Sequence, residues 1–307
     1  MGERILKFLK FWIALLTLWS AANSAAQQHS EVSFRLIDGW AMIVDGTLAG
    51  VPHQKMLIDT GAVPSVINAR VAKRIGLSGS ASELSLMNRS IAVERVHVPE
   101  VGLGPLSATV LDMVSVDLEK LEQALATRID AVIGLDFLAQ RNFSLDYQHK
   151  RLIIGEDSIS SGAITFEIEH EAGGTYILIP MECGGQRLRI LLDTGTRDFL
   201  LFKSRMRGGL QRLPARGQRA NFNPAGQDQL TEVEIAFVRA GTLFREKQKA
   251  FVWATPEKEI RNIDGLLGPA ALGIAVVRFD FNRHTVSLEA RGKGGTVDVP
   301  SNTSFSH

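Results

Sequence analysis

Residues 57–61 read LIDTG and residues 191–195 read LLDTG, so one short pattern occurs twice in the chain. In each copy, an apolar stretch with strand character ends in Asp-Thr-Gly, a combination typical of a turn. A single copy is weak evidence, because Asp and Gly are common turn residues. The two copies are 134 residues apart, from Asp59 to Asp193. This separation, called the repeat offset below, indicates an internal repeat.

The repeat offset extends well beyond these two turns. It maps residues 130–134, DAVIG, onto residues 264–268, DGLLG, and residues 145–147, LDY, onto residues 279–281, FDF. A repeat of this length is too long for a solenoid unit and predicts two duplicated domains. The predicted boundaries are an N-terminal lobe at 27–157, a linker at 158–162, a C-terminal lobe at 163–292 and a disordered tail at 293–307.

The N-terminal segment has the features of a secretory signal peptide. Three basic residues precede an apolar run at residues 11–19, and Ser24 and Ala26 stand at the −3 and −1 positions for cleavage before Gln27. A membrane anchor is the alternative, but a span needs about 20 apolar residues and this run is shorter. We therefore predict that residues 1–26 are removed, leaving an exported protein without a stable membrane anchor. A bacterial periplasm is the expected compartment, since the lone Cys183 cannot form an internal disulfide.

The composition of the chain argues for a globular protein and against nucleic-acid-binding and metal-dependent functions. The 307 residues are 45% hydrophobic and 22% charged, as in a globular protein. Lys and Arg total 34 against 33 for Asp and Glu, so there is no basic excess to neutralise a phosphate backbone, and nucleic acid is not an expected partner. The seven histidines show no metal-ligand spacing and the chain has one cysteine, so we expect neither a metal nor a cofactor.

The pattern of apolar residues predicts a mainly β chain with a few short helices. Strands are predicted in both halves, at residues 41–48, 55–58 and 91–98 and at residues 176–181, 187–192 and 231–238. A helix is predicted at residues 68–75 with Gly76 as its C-terminal stop, and weaker helical signals occupy residues 118–128 and the stretches after Gly134 and Gly268.

Asp59 and Asp193 each follow an apolar strand, so their carboxyl groups are expected near the core and not on a solvated turn. An ionised carboxylate in that position is costly unless it is paired or hydrogen-bonded. The simpler alternative is that each aspartate only caps its own turn. A cap does not explain why the residues around Gly134 and Gly268 also match.

With these motifs in place, the chain resembles the aspartic proteases of the retropepsin and pepsin kind. Their signature is an apolar strand, Asp-Thr-Gly followed by a small residue, and a distal motif of two apolar residues and glycine in each lobe. Here these are residues 59–62 with 132–134 and residues 193–196 with 266–268. The resemblance implies an all-β fold of two retropepsin-like closed β-barrel or sandwich lobes, related by a pseudo-two-fold axis. It also implies a monomer, because the fused lobes replace a homodimer.

The resemblance implies a role for each residue of the two turns. Asp59 and Asp193 would be catalytic, sharing one proton and activating a water that attacks the peptide carbonyl. Thr60 and Thr194 would cross-link the turns through their hydroxyls, and Gly61 and Gly195 would let backbone amides approach the carboxylates. Ala62 and Thr196 would contact the substrate, and Gly134 and Gly268 would let a strand pack behind each turn. No metal or cofactor is implied.

Asp193 is expected to be the ionised member of the pair, because the Thr196 hydroxyl can donate to it while Ala62 has no such group. We expect activity to peak in mildly acidic to neutral conditions. Arg197 and Asp198, which follow the second turn, would either contact a polar substrate group or lie in solvent, and the solvated arrangement is the simpler expectation.

The flaps that close over a substrate in this family are harder to find. Residues 84–96 hold no glycine and no tyrosine, whereas residues 221–227, NFNPAGQ, are a fair turn in the second lobe. Two hypotheses therefore remain. The first is an aspartic endopeptidase that cuts an extended polypeptide, and the second is a non-catalytic peptide-binding module that keeps the aspartic protease fold.

Overall fold

The computed structural model describes residues 30–85, 90–155, 162–171, 174–223, 226–254 and 262–291. The predicted signal peptide, nearly all of the predicted linker and the tail at 293–307 lie outside these ranges. Within them, no helix combines the length and the hydropathy needed to cross a bilayer. The predicted lobe boundaries stay predictions.

The described chain is mainly β. The first half contains the strands β1 (Ser30–Ile37), β2 (Ala41–Leu48), β3 (Val51–Ile58), β4 (Val66–Asn68), β5 (Ser80–Ser85), β6 (Ser90–Leu103), β7 (Leu106–Val116), β8 (Ala131–Ile133), β9 (Phe143–Asp146) and β10 (Arg151–Ile154). The second half contains β11 (Ile164–Thr165), β12 (Glu167–Glu171), β13 (Gly174–Cys183), β14 (Gln186–Leu192), β15 (Phe199–Phe202), β16 (Gly217–Asn223), β17 (Gly226–Ala240), β18 (Leu243–Trp253), β19 (Gly265–Leu267), β20 (Ile274–Asp280) and β21 (Thr285–Ala290).

The helices are few and short, as predicted. They are α1 (Ala69–Arg74), α2 (Glu119–Leu125) and α3 (Leu135–Leu138), with 3₁₀ turns at Lys203–Arg205, Leu210–Arg212 and Pro269–Leu272. The Asn68 side chain caps α1 by accepting from the Arg70 amide at 3.1 Å, and Gly76 follows the helix with φ of +72°, where a left-handed residue ends it. The predicted helix at 68–75 is therefore confirmed.

The two halves have the same strand order. In the first half the order is β2-β3-β8-β4-β7-β6-β5, and in the second it is β13-β14-β19-β15-β18-β17-β16. The parallel pairs also correspond: β3 with β8 and β4 with β7, then β14 with β19 and β15 with β18. A further pairing, β2 with β6 and β13 with β17, curls each sheet back on itself. The mainly β, two-lobed, aspartic protease-like fold expected from the sequence is confirmed.

A continuous sheet joins the halves, because β9 of the first half pairs antiparallel with β20 of the second. Ser144 lies opposite Arg278, and Phe143 lies opposite Phe279. Ser144 and Arg278 are themselves related by the repeat offset, so equivalent strands meet at an equivalent residue. An antiparallel contact of this kind has a local two-fold axis. The aromatic rings of Phe143 and Phe279 pack beneath it with centroids 4.7 Å apart.

Candidate active site

Each Asp-Thr-Gly turn begins where a buried strand leaves its sheet. β3 pairs in parallel with β8, and the Asp59 amide continues that ladder by donating to the Ile133 carbonyl at 3.0 Å. In the second half, the Asp193 amide donates to the Leu267 carbonyl, also at 3.0 Å. The backbone amides of both aspartates are thus held by sheet hydrogen bonds, so each turn begins at a fixed position in its sheet.

The two turns face each other, with the carboxyl groups of Asp59 and Asp193 in hydrogen-bonding contact. The Gly61 amide donates to Asp59 Oδ1 and the Gly195 amide donates to Asp193 Oδ1, each at 2.8 Å. A Cβ on Gly61 would lie 2.6 Å from Asp193 Cγ, and one on Gly195 would lie 2.2 Å from Asp59 Oδ2. Each glycine therefore admits the aspartate of the opposite turn, in addition to bringing its amide to its own.

Thr60 and Thr194 lock the turns together through four hydrogen bonds. The Thr60 hydroxyl donates to the Leu192 carbonyl at 2.7 Å and accepts from the Thr194 amide at 3.1 Å. Reciprocally, the Thr194 hydroxyl donates to the Ile58 carbonyl at 3.1 Å and accepts from the Thr60 amide at 3.0 Å. Both side chains are buried, so these bonds are shielded from water. The structure brings the predicted threonines together in the predicted arrangement.

Burial dominates the electrostatics of the aspartate pair. Each aspartate keeps partial solvent exposure, yet protein atoms surround both closely enough that desolvation raises the pKa of Asp59 and of Asp193. The negative charge of Asp59 adds to burial in raising the pKa of Asp193 well above the ordinary carboxyl range. Two carboxyl groups in contact repel each other when both are ionised, so this contact favours a state in which the pair keeps one proton.

The expectation that the Thr196 hydroxyl makes Asp193 the ionised member was wrong. Within the described chain, that hydroxyl makes no hydrogen bond to Asp193. The backbone amides of Ala62 and Thr196 donate to Asp59 and Asp193 respectively, and the Gly195 amide also donates to Asp59. Burial and the charge of Asp59 raise the pKa of Asp193 well above the ordinary carboxyl range, which favours its protonated form.

The distal glycines pack directly behind the turns. A Cβ on Gly134 would lie 1.8 Å from the Ala62 carbonyl oxygen, and one on Gly268 would lie 2.1 Å from the Thr196 carbonyl oxygen. Only glycine fits at either position, as the resemblance implied. The backbones of Ala62 and Thr196 are held by these contacts, while both residues stay half-exposed. Their predicted role in substrate binding stays a prediction.

The first turn has a support that sequence reasoning missed. The Ser65 amide and hydroxyl donate to the two carboxylate oxygens of Asp136 at 2.7 and 2.5 Å, and the Gly134 amide donates to Ser65 Oγ at 2.9 Å. Burial raises the pKa of Asp136. The repeat offset places Phe199 and Ala270 at the equivalent positions, so the second half lacks this pair. This difference between two otherwise matching halves was the one sign in the sequence that Ser65 and Asp136 have a role of their own.

The matched aspartates Asp130 and Asp264 have a structural role. Asp130 is fully buried, and one of its carboxylate oxygens accepts from the Lys55 amide at 2.8 Å while the other accepts from Arg128 Nε at 2.8 Å. Asp264 accepts from the Arg189 amide at 2.8 Å in the same way. Each carboxylate thus closes the start of a parallel strand pair that ends at an Asp-Thr-Gly turn.

Hairpins occupy the same edge position in both sheets. β5 and β6 form one, and β16 and β17 form the other. The predicted flap tip at residues 221–227 coincides with the second hairpin, although residues 224 and 225 lie outside the described residues, as do residues 86–89 of the first. The first half therefore carries an edge hairpin even though its sequence has no glycine there.

No described part of the chain brings three or more His, Cys, Asp or Glu side chains together in a way that could hold a metal ion.

Comparison with known proteins adds family information for the first half. Curated proteins include no significant match to this chain. Residues 44–137 match the model of the aspartyl protease family. This segment runs from β2 through the Asp59 turn, Ser65 and Gly134 to the start of α3. It supports an aspartyl protease family for this chain, with the first Asp-Thr-Gly turn and the distal glycine inside the matched residues.

Proposed function

We propose that the protein is an exported aspartic endopeptidase that hydrolyses peptide bonds in an extended polypeptide. The observation that carries the proposal is the contact between the carboxyl groups of Asp59 and Asp193, held by the four Thr60–Thr194 hydrogen bonds. Two buried carboxyl groups in contact are costly for folding, and the family match makes a shared-proton catalytic pair the natural reason for keeping them.

In the proposed reaction, the pair starts with one proton, and a water binds between the two carboxyl groups. The ionised carboxylate takes a proton from this water as the water oxygen attacks the scissile carbonyl carbon. The protonated carboxyl group donates to the carbonyl oxygen, which stabilises the charge that develops there. A proton then passes to the leaving nitrogen, the carbon–nitrogen bond breaks, and the pair returns to its singly protonated state. The step requires no redox change.

The cellular setting is also part of the proposal. A cleaved signal peptide at residues 1–26 would deliver the protein to a bacterial periplasm. Both halves of the site lie in one chain, so we propose a monomer produced by an internal duplication, with a polypeptide as its substrate. The matching strand orders and the repeat offset of 134 residues support that duplication.

The test is cleavage of a library of short synthetic peptides by the purified protein across a range of pH. Asp59→Asn removes the titratable carboxyl group while keeping its size, and we expect it to lower kcat/KM by at least about a hundredfold. Asp38→Asn is the matched control, because Asp38 is exposed and its positive φ of 47° is tolerated by asparagine. Wild-type cleavage should also fall when a pepstatin-type inhibitor is added.

Two results would overturn the proposal. Cleavage that survives in purified Asp59→Asn would exclude a mechanism based on the pair. A folded wild-type protein that binds library peptides but cleaves none at any pH would favour the non-catalytic peptide-binding module. Mass spectrometry of the products, together with a binding measurement on the same library, separates these outcomes.

A further inference from the structure

The two flanks of the candidate active site differ in charge. After the first turn the chain continues with Val63 and Pro64, both half-buried, whereas after the second turn the equivalent positions are Arg197 and Asp198. A polypeptide that crosses the aspartate pair must pass both flanks. One flank is neutral and apolar, and the other carries ionised side chains, so the two sides of a bound peptide meet different chemistry.

The backbone of the charged flank is held firmly. The Gly268 amide donates to the Asp198 carbonyl at 2.9 Å, and a Cβ on Gly268 would lie 2.9 Å from the Arg197 carbonyl carbon. Arg197 is the fourth residue after Asp193, so its side chain starts from a fixed point close to the reacting groups. That side chain is 49% exposed, which leaves its guanidinium accessible to a ligand.

Asp198 does not fully neutralise this flank, because another arginine already occupies it. Both terminal nitrogens of Arg219 bond to the Asp198 carboxylate, and the Arg219 guanidinium stacks over the Phe251 ring at 4.2 Å. Arg197 Nε lies 3.7 Å from Asp198 Oδ1, beyond hydrogen-bonding distance. One carboxylate therefore faces two guanidinium groups, and the flank has an excess of one positive charge.

From this arrangement we propose that Arg197 binds a carboxylate of the substrate, so that the cleft selects an Asp or Glu side chain on the second-half side of the scissile bond. The inference rests on the proposed function and names the class of its substrate. An arginine guanidinium offers paired donors to a carboxylate, which gives both attraction and orientation. It also offsets the repulsion that the singly ionised aspartate pair exerts on an acidic substrate.

Arg219 has a supporting role in this inference. It lies on β16, a strand of the edge hairpin, and its bonds to Asp198 tie that hairpin to the segment after the second turn. By holding Asp198, it leaves Arg197 with donors to spare. The first half has no equivalent charged link, because Pro64 stands at the position of Asp198.

The experiment compares peptides that are identical except for Glu or Gln at each position flanking the scissile bond. For the wild-type protein we expect kcat/KM for the best Glu peptide to exceed that of its Gln counterpart by about five- to tenfold. Arg197→Gln should abolish this preference, and Arg197→Glu should turn it into a preference for Lys. Arg212→Gln, which removes the same charge from an exposed position in the second half, should leave the Glu preference unchanged.

Peptide binding to the Asp59→Asn protein provides a readout that does not need cleavage. Glu-selective binding without any cleavage by the wild type would support the Arg197 site and overturn the endopeptidase proposal alone. Cleavage with no preference for acidic residues, or a preference that persists in Arg197→Gln, would overturn the Arg197 site alone. A library that is neither cleaved nor bound would contradict both.

Discussion

Gly61 has no room for a side chain, because the Asp193 carboxyl group occupies the space where a Cβ would lie. We therefore expect Gly61→Ala to push the aspartates apart, to lower kcat/KM by about a hundredfold or more, and to destabilise the fold by about 1–3 kcal/mol. Gly209→Ala is the control, because Gly209 has helical backbone angles and no neighbouring atoms within 4 Å of the added carbon. Peptide cleavage assays and thermal unfolding measure the two effects. Full activity in Gly61→Ala would contradict the turn geometry.

Asp193 links the protonation of the pair to the stability of the fold. Burial raises its pKa in the folded state above the unfolded value. The stability gained from its proton is complete below the unfolded pKa and is lost as pH rises through the folded pKa. Asparagine does not ionise, so Asp193→Asn avoids the stability that the wild type loses at neutral pH. We therefore expect the variant to be more stable than the wild type by about 1–2 kcal/mol at neutral pH.

The difference in stability between Asp193→Asn and the wild type should shrink as the pH falls to about 4 and below, where the wild-type carboxyl group is protonated in both states. Unfolding curves at several pH values measure this trend, with Asp38→Asn as the exposed control. A variant that is less stable than the wild type at neutral pH would show that the carboxylate is not penalised by burial.

At the scale of single elements, Asp130 shows how a strand pair is secured at its start. The Asp130 carboxylate satisfies the Lys55 amide and pairs with Arg128, so Asp130→Ala would leave a backbone donor and a cation without their partner. We expect a loss of about 3 kcal/mol in the free energy of unfolding. The folded variant should keep kcat/KM within a few-fold of the wild type, because the carboxylate supports β3 and β8 and is fully buried.

Asp112→Ala is the control for this element, since Asp112 is 55% exposed and its removal should cost under about 1 kcal/mol. Denaturant unfolding and initial rates of peptide cleavage give the two readouts for both variants. If Asp130→Ala unfolds at the wild-type midpoint, the carboxylate does not secure the strand pair. If instead it loses activity while staying equally stable, it has a role in the reaction.

Comparison of the two halves also shows which features could be predicted from the sequence and which could not. The repeat offset predicted both turns, both distal glycines and the matched aspartates, because each depends on a local pattern that occurs twice. The Ser65–Asp136 bonds and the Arg219–Asp198 pair could not be predicted. Their partners are brought together only by the folded sheets, and each occurs in one half alone. The predicted hydrogen bond from the Thr196 hydroxyl to Asp193 failed for a related reason, since packing in the folded chain sets the direction of a side chain.

At the scale of the whole molecule, the two halves meet at contacts that share the same symmetry. The Thr60–Thr194 bonds join residues related by the repeat offset, and Ser144 and Arg278 of the joining sheet are related by it as well. The joining sheet and the two Asp-Thr-Gly turns are therefore related by the same approximate two-fold axis. Because the aspartates come from different halves, we expect the distance between their carboxyl groups to depend on the joining sheet as well as on the Thr60–Thr194 bonds.

Phe143 tests this dependence, because it is buried in the joining sheet with its ring centroid 4.7 Å from that of Phe279 and 5.8 Å from that of Phe281. We expect Phe143→Ala to lower the free energy of unfolding by about 3–5 kcal/mol. Because the cavity lies between the halves, hydrogen exchange should speed up in β3 and in β14 alike. Phe244→Ala, at a residue that is 42% exposed, should cost under about 1 kcal/mol and change neither strand. Faster exchange in only one of the two strands would show that the halves unfold independently and that the aspartate pair does not depend on the joining sheet.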